Sequence, residues 1–193
     1  MIPVLCALLA ALAPAPQSAM MPIGLTGKFL MLHMEQVKKE LKVTKEQDKA
    51  VAKLFETVSK DPSSMGMSMD MHYMTRSLDA MIAPLLDEAQ NKRLQELFLQ
   101  YNGLLAVTEK EVVTALGLSE EVQAKATAIV KKHDRDAMTT LMETRKTHKV
   151  DTKHLKEIDE MAKADLTALL TAEQNEKWKT LVGAPFTFPK MGG

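Results

Sequence analysis

The stretch Leu169-Leu-Thr-Ala-Glu-Gln-Asn-Glu-Lys-Trp-Lys-Thr-Leu181 restates, in register, Leu85-Leu-Asp-Glu-Ala-Gln-Asn-Lys-Arg-Leu-Gln-Glu-Leu97. The leucines, the glutamine and the asparagine keep their places, and Trp178 stands where Leu94 stood. Two looser copies of the opening are Val43-Thr-Lys-Glu-Gln47 and Leu118-Ser-Glu-Glu-Val122. In each, an apolar residue precedes Thr, Asp or Ser, a side chain that accepts an orphan N–H of a helix's first turn. A Gln three residues on reaches back to the cap's own N–H and completes a capping box. The chain thus announces helix starts at Thr44, Asp87, Ser119 and Thr171, with Gln47, Gln90 and Gln174 as reciprocal partners. The third copy has Val122 in the glutamine's place and Gln123 one residue late, so its box is half made.

Apolar residues recur seven and ten places after each start: Val51 and Leu54, Leu94 and Leu97, Ala126 and Ile129, Trp178 and Leu181. That spacing holds each pair on one helical face. Between the starts, Leu30, Met34, Val37 and Leu41 form a stripe leading into the first word. Thr108-Glu-Lys-Glu111 predicts another capping box, opening a short helix that Gly117 ends. Leu155, Ile158, Ala162, Leu166 and Leu169 run into the last word, and Gly183 with Pro185 stops the final helix. Breakers fall at Asp61-Pro-Ser-Ser64, Ala83-Pro84 and Asn102-Gly103. No strand-like alternation of useful length occurs, and aromatics make up only 4% of the chain, so the composition is that of helices. The expected fold is all-α: antiparallel helical hairpins, built as a duplicated helical-hairpin unit. The first repeat is expected over 20–103, the second over 104–186, and a disordered tail over 187–193.

Residues 1–19 read as a signal peptide, with an apolar run from Ile2 to Ala13 and cleavage after Ala15 or Ala19. The run is too short to span a bilayer and Pro14 and Pro16 break it, so no membrane span is expected in the mature chain. The only cysteine, Cys6, lies in this segment, which leaves the mature chain without thiol chemistry. Lys+Arg and Asp+Glu both number 25, which gives nucleic acid no electrostatic purchase.

An exported all-helical chain punctuated by Leu-Thr-x-x-Gln words resembles the Spy/CpxP (LTxxQ-motif) family of bacterial periplasmic proteins. Leu170-Thr171-Ala172-Glu173-Gln174 matches in full and Val43-Thr44-Lys45-Glu46-Gln47 with Val for Leu; the words at Leu86 and Leu118 are degenerate copies. The resemblance covers about residues 28–186 and implies a periplasmic, non-enzymatic protein that cradles unfolded or partner protein segments, or an envelope-stress adaptor. It also admits a homodimer. Relatives of the Spy type are shorter and bind clients on a basic concave face, whereas this chain is neutral.

The least ordinary stretch runs from Pro62 to Met74, with Met65, Met67, Met69, Met71 and Met74 in ten residues. Met67, Met71, Met74, Leu78 and Met81 fall at helical steps and form an adaptable apolar stripe, the candidate surface for a client. Met65, Met69 and His72 lie on another face, and thioethers with an imidazole suit Cu(I) or Ag(I). The alternative reading is therefore an extracytoplasmic soft-metal binding or sensing protein. His133 and His148 stand about 22 Å apart along one helix and cannot share an ion. His154 with Glu157 reads as a solvated pair. Carboxylates are spread along helices with Lys partners, and no HExxH, GxSxG, GxGxxG or P-loop occurs. Neither a catalytic constellation nor a resident cofactor is expected.

Overall fold

The computed structural model describes residues 27–60, 71–147 and 149–188, without the side chains of 58–59, 71–75 and 145–147. In chain order its helices are α1 (Lys28–Met31), α2 (Glu35–Glu40), α3 (Lys45–Lys60), α4 (Met71–Ile82), α5 (Glu88–Asn102), α6 (Lys110–Leu116), α7 (Glu120–Thr147), α8 (Thr152–Leu169) and α9 (Ala172–Leu181). Two 3-10 turns join them, Ala83–Leu85 and Gly103–Thr108, and no strand occurs among the described residues. The fold is all-α. Four helices, α3, α5, α7 and α9, begin one residue after Thr44, Asp87, Ser119 and Thr171. The apolar residue seven places on is buried at Val51, Leu94 and Ala126 and half-buried at Trp178. Ten places on, only Leu97 is fully buried.

Two turns repeat one geometry. After α2, Val43 N–H donates to Lys38 O (3.0 Å) and Lys42 N–H to Lys39 O (3.1 Å). After α6, Leu118 N–H donates to Val113 O (3.1 Å) and Gly117 N–H to Thr114 O (3.2 Å). Both are Schellman closures, which place the residue two before the cap in the left-handed region. Gly117 takes it at φ 62°, and Lys42 takes it at φ 52° in spite of its Cβ. The flanking helices differ in length, α3 having 16 residues and α7 28.

Two expectations need correction. The Leu30–Leu41 stripe is not one helix: α1 ends at Met31, and Met34 is extended as it opens α2. Phe29, Met31, Leu32 and Val37 are all buried, a set too wide for one helical stripe, and the break turns both pieces inward. The first orphan donor, Phe29 N–H, is met by Asp79 Oδ1 of α4 at 2.8 Å. Nor does Thr108 cap a helix. Leu105, Ala106 and Val107 are buried and draw 103–108 into a 3-10 turn, so α6 opens at Glu109, whose side chain does not cap the helix.

The described chain divides into two compact units, residues 27–94 and 95–186. In the first, α1 packs on α4. In the second, α7 and α8 form a hairpin, both touch the Gly103–Thr108 turn, and α6 lies against α9 and that turn. The division falls inside α5. Gly103 (φ 57°) turns the backbone after α5 and belongs to the second unit. No helix among the described residues is long and apolar enough to cross a membrane. The expected signal peptide, 1–19, and the end of the expected tail, 189–193, lie outside the described residues.

Candidate functional site

Each repeated word closes as a hydrogen-bonded cap. Gln47 N–H donates to Thr44 Oγ1 (3.2 Å) and Thr44 N–H to Gln47 Oε1 (2.9 Å). Gln90 N–H donates to Asp87 Oδ1 (2.8 Å) and Asp87 N–H to Gln90 Oε1 (2.9 Å). Gln174 N–H donates to Thr171 Oγ1 (3.2 Å) and Thr171 N–H to Gln174 Oε1 (3.0 Å). Ser119 accepts one bond, from Val122 N–H at 3.4 Å, and its box stays half made.

The words also reach outward, and here the sequence reading missed their second task. Gln90 is buried, and its Nε2 donates to Leu41 O (3.1 Å) at the end of α2. Its amide also pairs with that of Gln47, through Gln47 Nε2 to Gln90 Oε1 (2.7 Å) and Gln90 Nε2 to Gln47 Oε1 (3.0 Å). In the second unit Gln174 Nε2 donates to Leu116 O (3.3 Å), three residues before the Ser119 cap just as Leu41 is three before Thr44. The asparagine of the word has a task as well. Asn91 Nδ2 donates to Leu86 O (3.1 Å) and Asp87 O (3.0 Å), and Asn175 Nδ2 to Leu170 O (3.3 Å) and Thr171 O (3.0 Å). Gln123, one place late, does this for the third word by donating to Leu118 O at 2.7 Å. Gln90 and Gln174 thus each donate to a carbonyl at the end of a preceding helix, Leu41 O of α2 and Leu116 O of α6.

Of the candidate client stripe, Leu78 is buried and Met81 is 42% exposed, so the two do not share one environment. Met71 and Met74 belong to α4, and Met67 lies outside the described residues. Of the candidate metal set, Met65 and Met69 lie outside the described residues and His72 sits in α4. Two methionines the sequence reading passed over are open to solvent in the second unit: Met142 on α7 at 44% and Met161 on α8 at 60%. The signal was available, since both stand among charged residues off the buried stripe.

The histidines with described side chains stand in three different settings. His133 is buried, its Nδ1 3.1 Å from Asp134 Oδ1 and its Nε2 3.8 Å from Asp159 Oδ1. Asp159 Oδ2 pairs with Lys163, while its Oδ1 has no hydrogen-bond partner. In the first unit His33 stands edge-on to Phe29 and Phe55, ring centroids 5.6 and 4.7 Å away. Lost hydration against those rings, then the Lys38 ammonium, hold the His33 pKa below its ordinary value, with Asp48 opposing. His154 meets Glu157 at 3.7 Å on an exposed face. No group of three or more His, Cys, Asp or Glu among the described residues is placed to hold a metal ion.

Set beside protein-family models, curated proteins and solved structures, the chain matches none. The functional reading rests on its own residues.

Proposed function

We propose that the chain is a non-enzymatic helical binding protein of LTxxQ type, exported from the cytoplasm, which holds exposed apolar segments of unfolded or partner proteins. The observation that carries this is the solvent exposure of Met81 on α4 and of Met142 and Met161 on the charge-rich helices α7 and α8. A thioether on a flexible, unbranched chain adapts to many apolar shapes, and methionine is over-used on surfaces that accept varied partners. The four caps support the family resemblance, because the words sit where helices start. The mature protein should suppress aggregation of a reduced or heat-unfolded client without ATP. Because Lys+Arg and Asp+Glu balance at 25 each, added salt should weaken this little. Replacing Met142 and Met161 by Gln should reduce it. A lack of suppression at several-fold excess over several clients sinks the reading.

A further inference from the structure

Beyond α9 the chain turns at Gly183 (φ 67°) and leaves helical geometry through Ala184-Pro185-Phe186. The side chain of Gln100 lies along this segment. Gln100 Nε2 donates to Val182 O (2.6 Å) and to Ala184 O (2.8 Å), and Gln100 Oε1 accepts from Phe186 N–H (2.8 Å). An amide offers donors and an acceptor in one plane, and here all are turned on alternate residues of a passing main chain. Pro185 has no N–H to satisfy, and its ring fixes the backbone between the two contacts. It also biases Ala184 away from helix, which keeps the segment open to such pairing.

Glu96 stands one turn before Gln100 on the same face of α5, beside Gly183. A Cβ added at Gly183 would stand 2.3 Å from the Glu96 carboxylate, in a left-handed conformation that L side chains resist. The left-handed backbone favours glycine at this position, and alanine, proline and a half-buried phenylalanine follow it.

We propose that the Glu96–Gln100 face of α5 is a binding site for non-helical Gly-Ala-Pro-aromatic segments, and that Val182–Phe186 fills it in cis as a built-in competitor. The contacts just described address main-chain atoms, so composition is tolerated wherever the backbone can follow the same course. A proline before an aromatic residue supplies that course in a free segment, because proline narrows the conformations to be given up on binding. The inference rests on reading the chain as a binding protein and names the segment class it takes.

The test uses the full chain and a labelled peptide with the sequence from Leu181 to Pro189. Phe186→Pro removes the N–H that reaches Gln100 without touching a helix. The peptide should bind the F186P chain at least tenfold more tightly than the unaltered chain, whose own segment competes. Adding Gln100→Leu to F186P should abolish that gain. Equal binding with and without Gln100→Leu, or no binding to F186P, overturns the proposal. A second measurement needs no peptide: Gln100→Leu in the otherwise unaltered chain should speed hydrogen exchange at the Phe186 amide at least tenfold and leave α7 and α8 unchanged. Unchanged exchange at Phe186 overturns it equally. Peptide binding without aggregation suppression would sink the chaperone reading alone, and suppression without peptide binding would sink this site alone.

Discussion

At Thr44 and Thr171 one hydroxyl oxygen stands 3.2 Å from the backbone nitrogen three residues on, while the glutamine at that place answers the cap's own N–H. Thr44→Ala or Thr171→Ala should each cost about 0.5–2 kcal/mol in urea unfolding, and Thr→Ser almost nothing. Lys45→Ala, one residue along and solvent-facing, should do little. Equal losses at Thr44 and Lys45 would refute the capping account. Gln90→Ala should cost more than Gln174→Ala. Gln90 is buried, and its loss strands Leu41 O and the Gln47 amide, about 1–3 kcal/mol for such groups, whereas water reaches Gln174. A different sign governs His33. Its pKa is lowered on folding, first by lost hydration and then by Lys38, so the unfolded chain binds the proton more readily. The stability it contributes is complete above its ordinary value of 6.5 and is lost as pH falls from there toward the folded pKa. His33→Gln should flatten the dependence of the urea midpoint on pH across that window. An undiminished slope in the variant would assign the acid sensitivity to another group.

The elements show what a sequence makes legible and what it conceals. The four helix starts could be read because a cap depends on residues three apart, and chain neighbours decide it. The stripe at Leu155–Leu166 was legible for the same reason, since periodicity is local. The break between α1 and α2 was not: the Leu30–Leu41 stripe is intact in sequence, and only the joint burial of Phe29, Met31 and Leu32 interrupts it. The Thr108 box failed likewise, its residues drawn into a 3-10 turn by burial of Leu105, Ala106 and Val107. The amide pair Gln47–Gln90 and the Gln100 contact with Val182–Phe186 join residues far apart in the chain, which no local pattern announces. The twin turns before α3 and α7 yield a prediction of their own. Lys42 carries a left-handed backbone that Gly117 carries without strain, and nothing lies within 4 Å of a Cβ added at Gly117. Lys42→Gly should therefore stabilise the fold by about 0.5–1 kcal/mol, and Gly117→Ala should destabilise it by about 1 kcal/mol from backbone strain alone. Thermal midpoints that move in the opposite directions would contradict the Schellman assignment.

Across the whole molecule, Lys+Arg and Asp+Glu balance at 25 each, so no net charge opposes compaction. The two units each use part of α5: Leu94 is buried in the first, and Leu97 and Leu99 in the second. A helix propagates cooperatively once nucleated, and a turn lost at one end weakens the next. Unfolding of residues 27–94 should therefore fray α5 and deprive residues 95–186 of the turns that bury Leu97 and Leu99. The chain has a single tryptophan, Trp178, which reports on the second unit alone, while far-UV circular dichroism reports on both. The two probes should give one coincident urea transition. Thr44→Ala, a lesion confined to the first unit, should move the Trp178 midpoint by as much as the dichroism midpoint. A biphasic dichroism curve with an unmoved Trp178 transition would show instead that α5 breaks at its Leu94–Gln95 division and that each unit unfolds on its own.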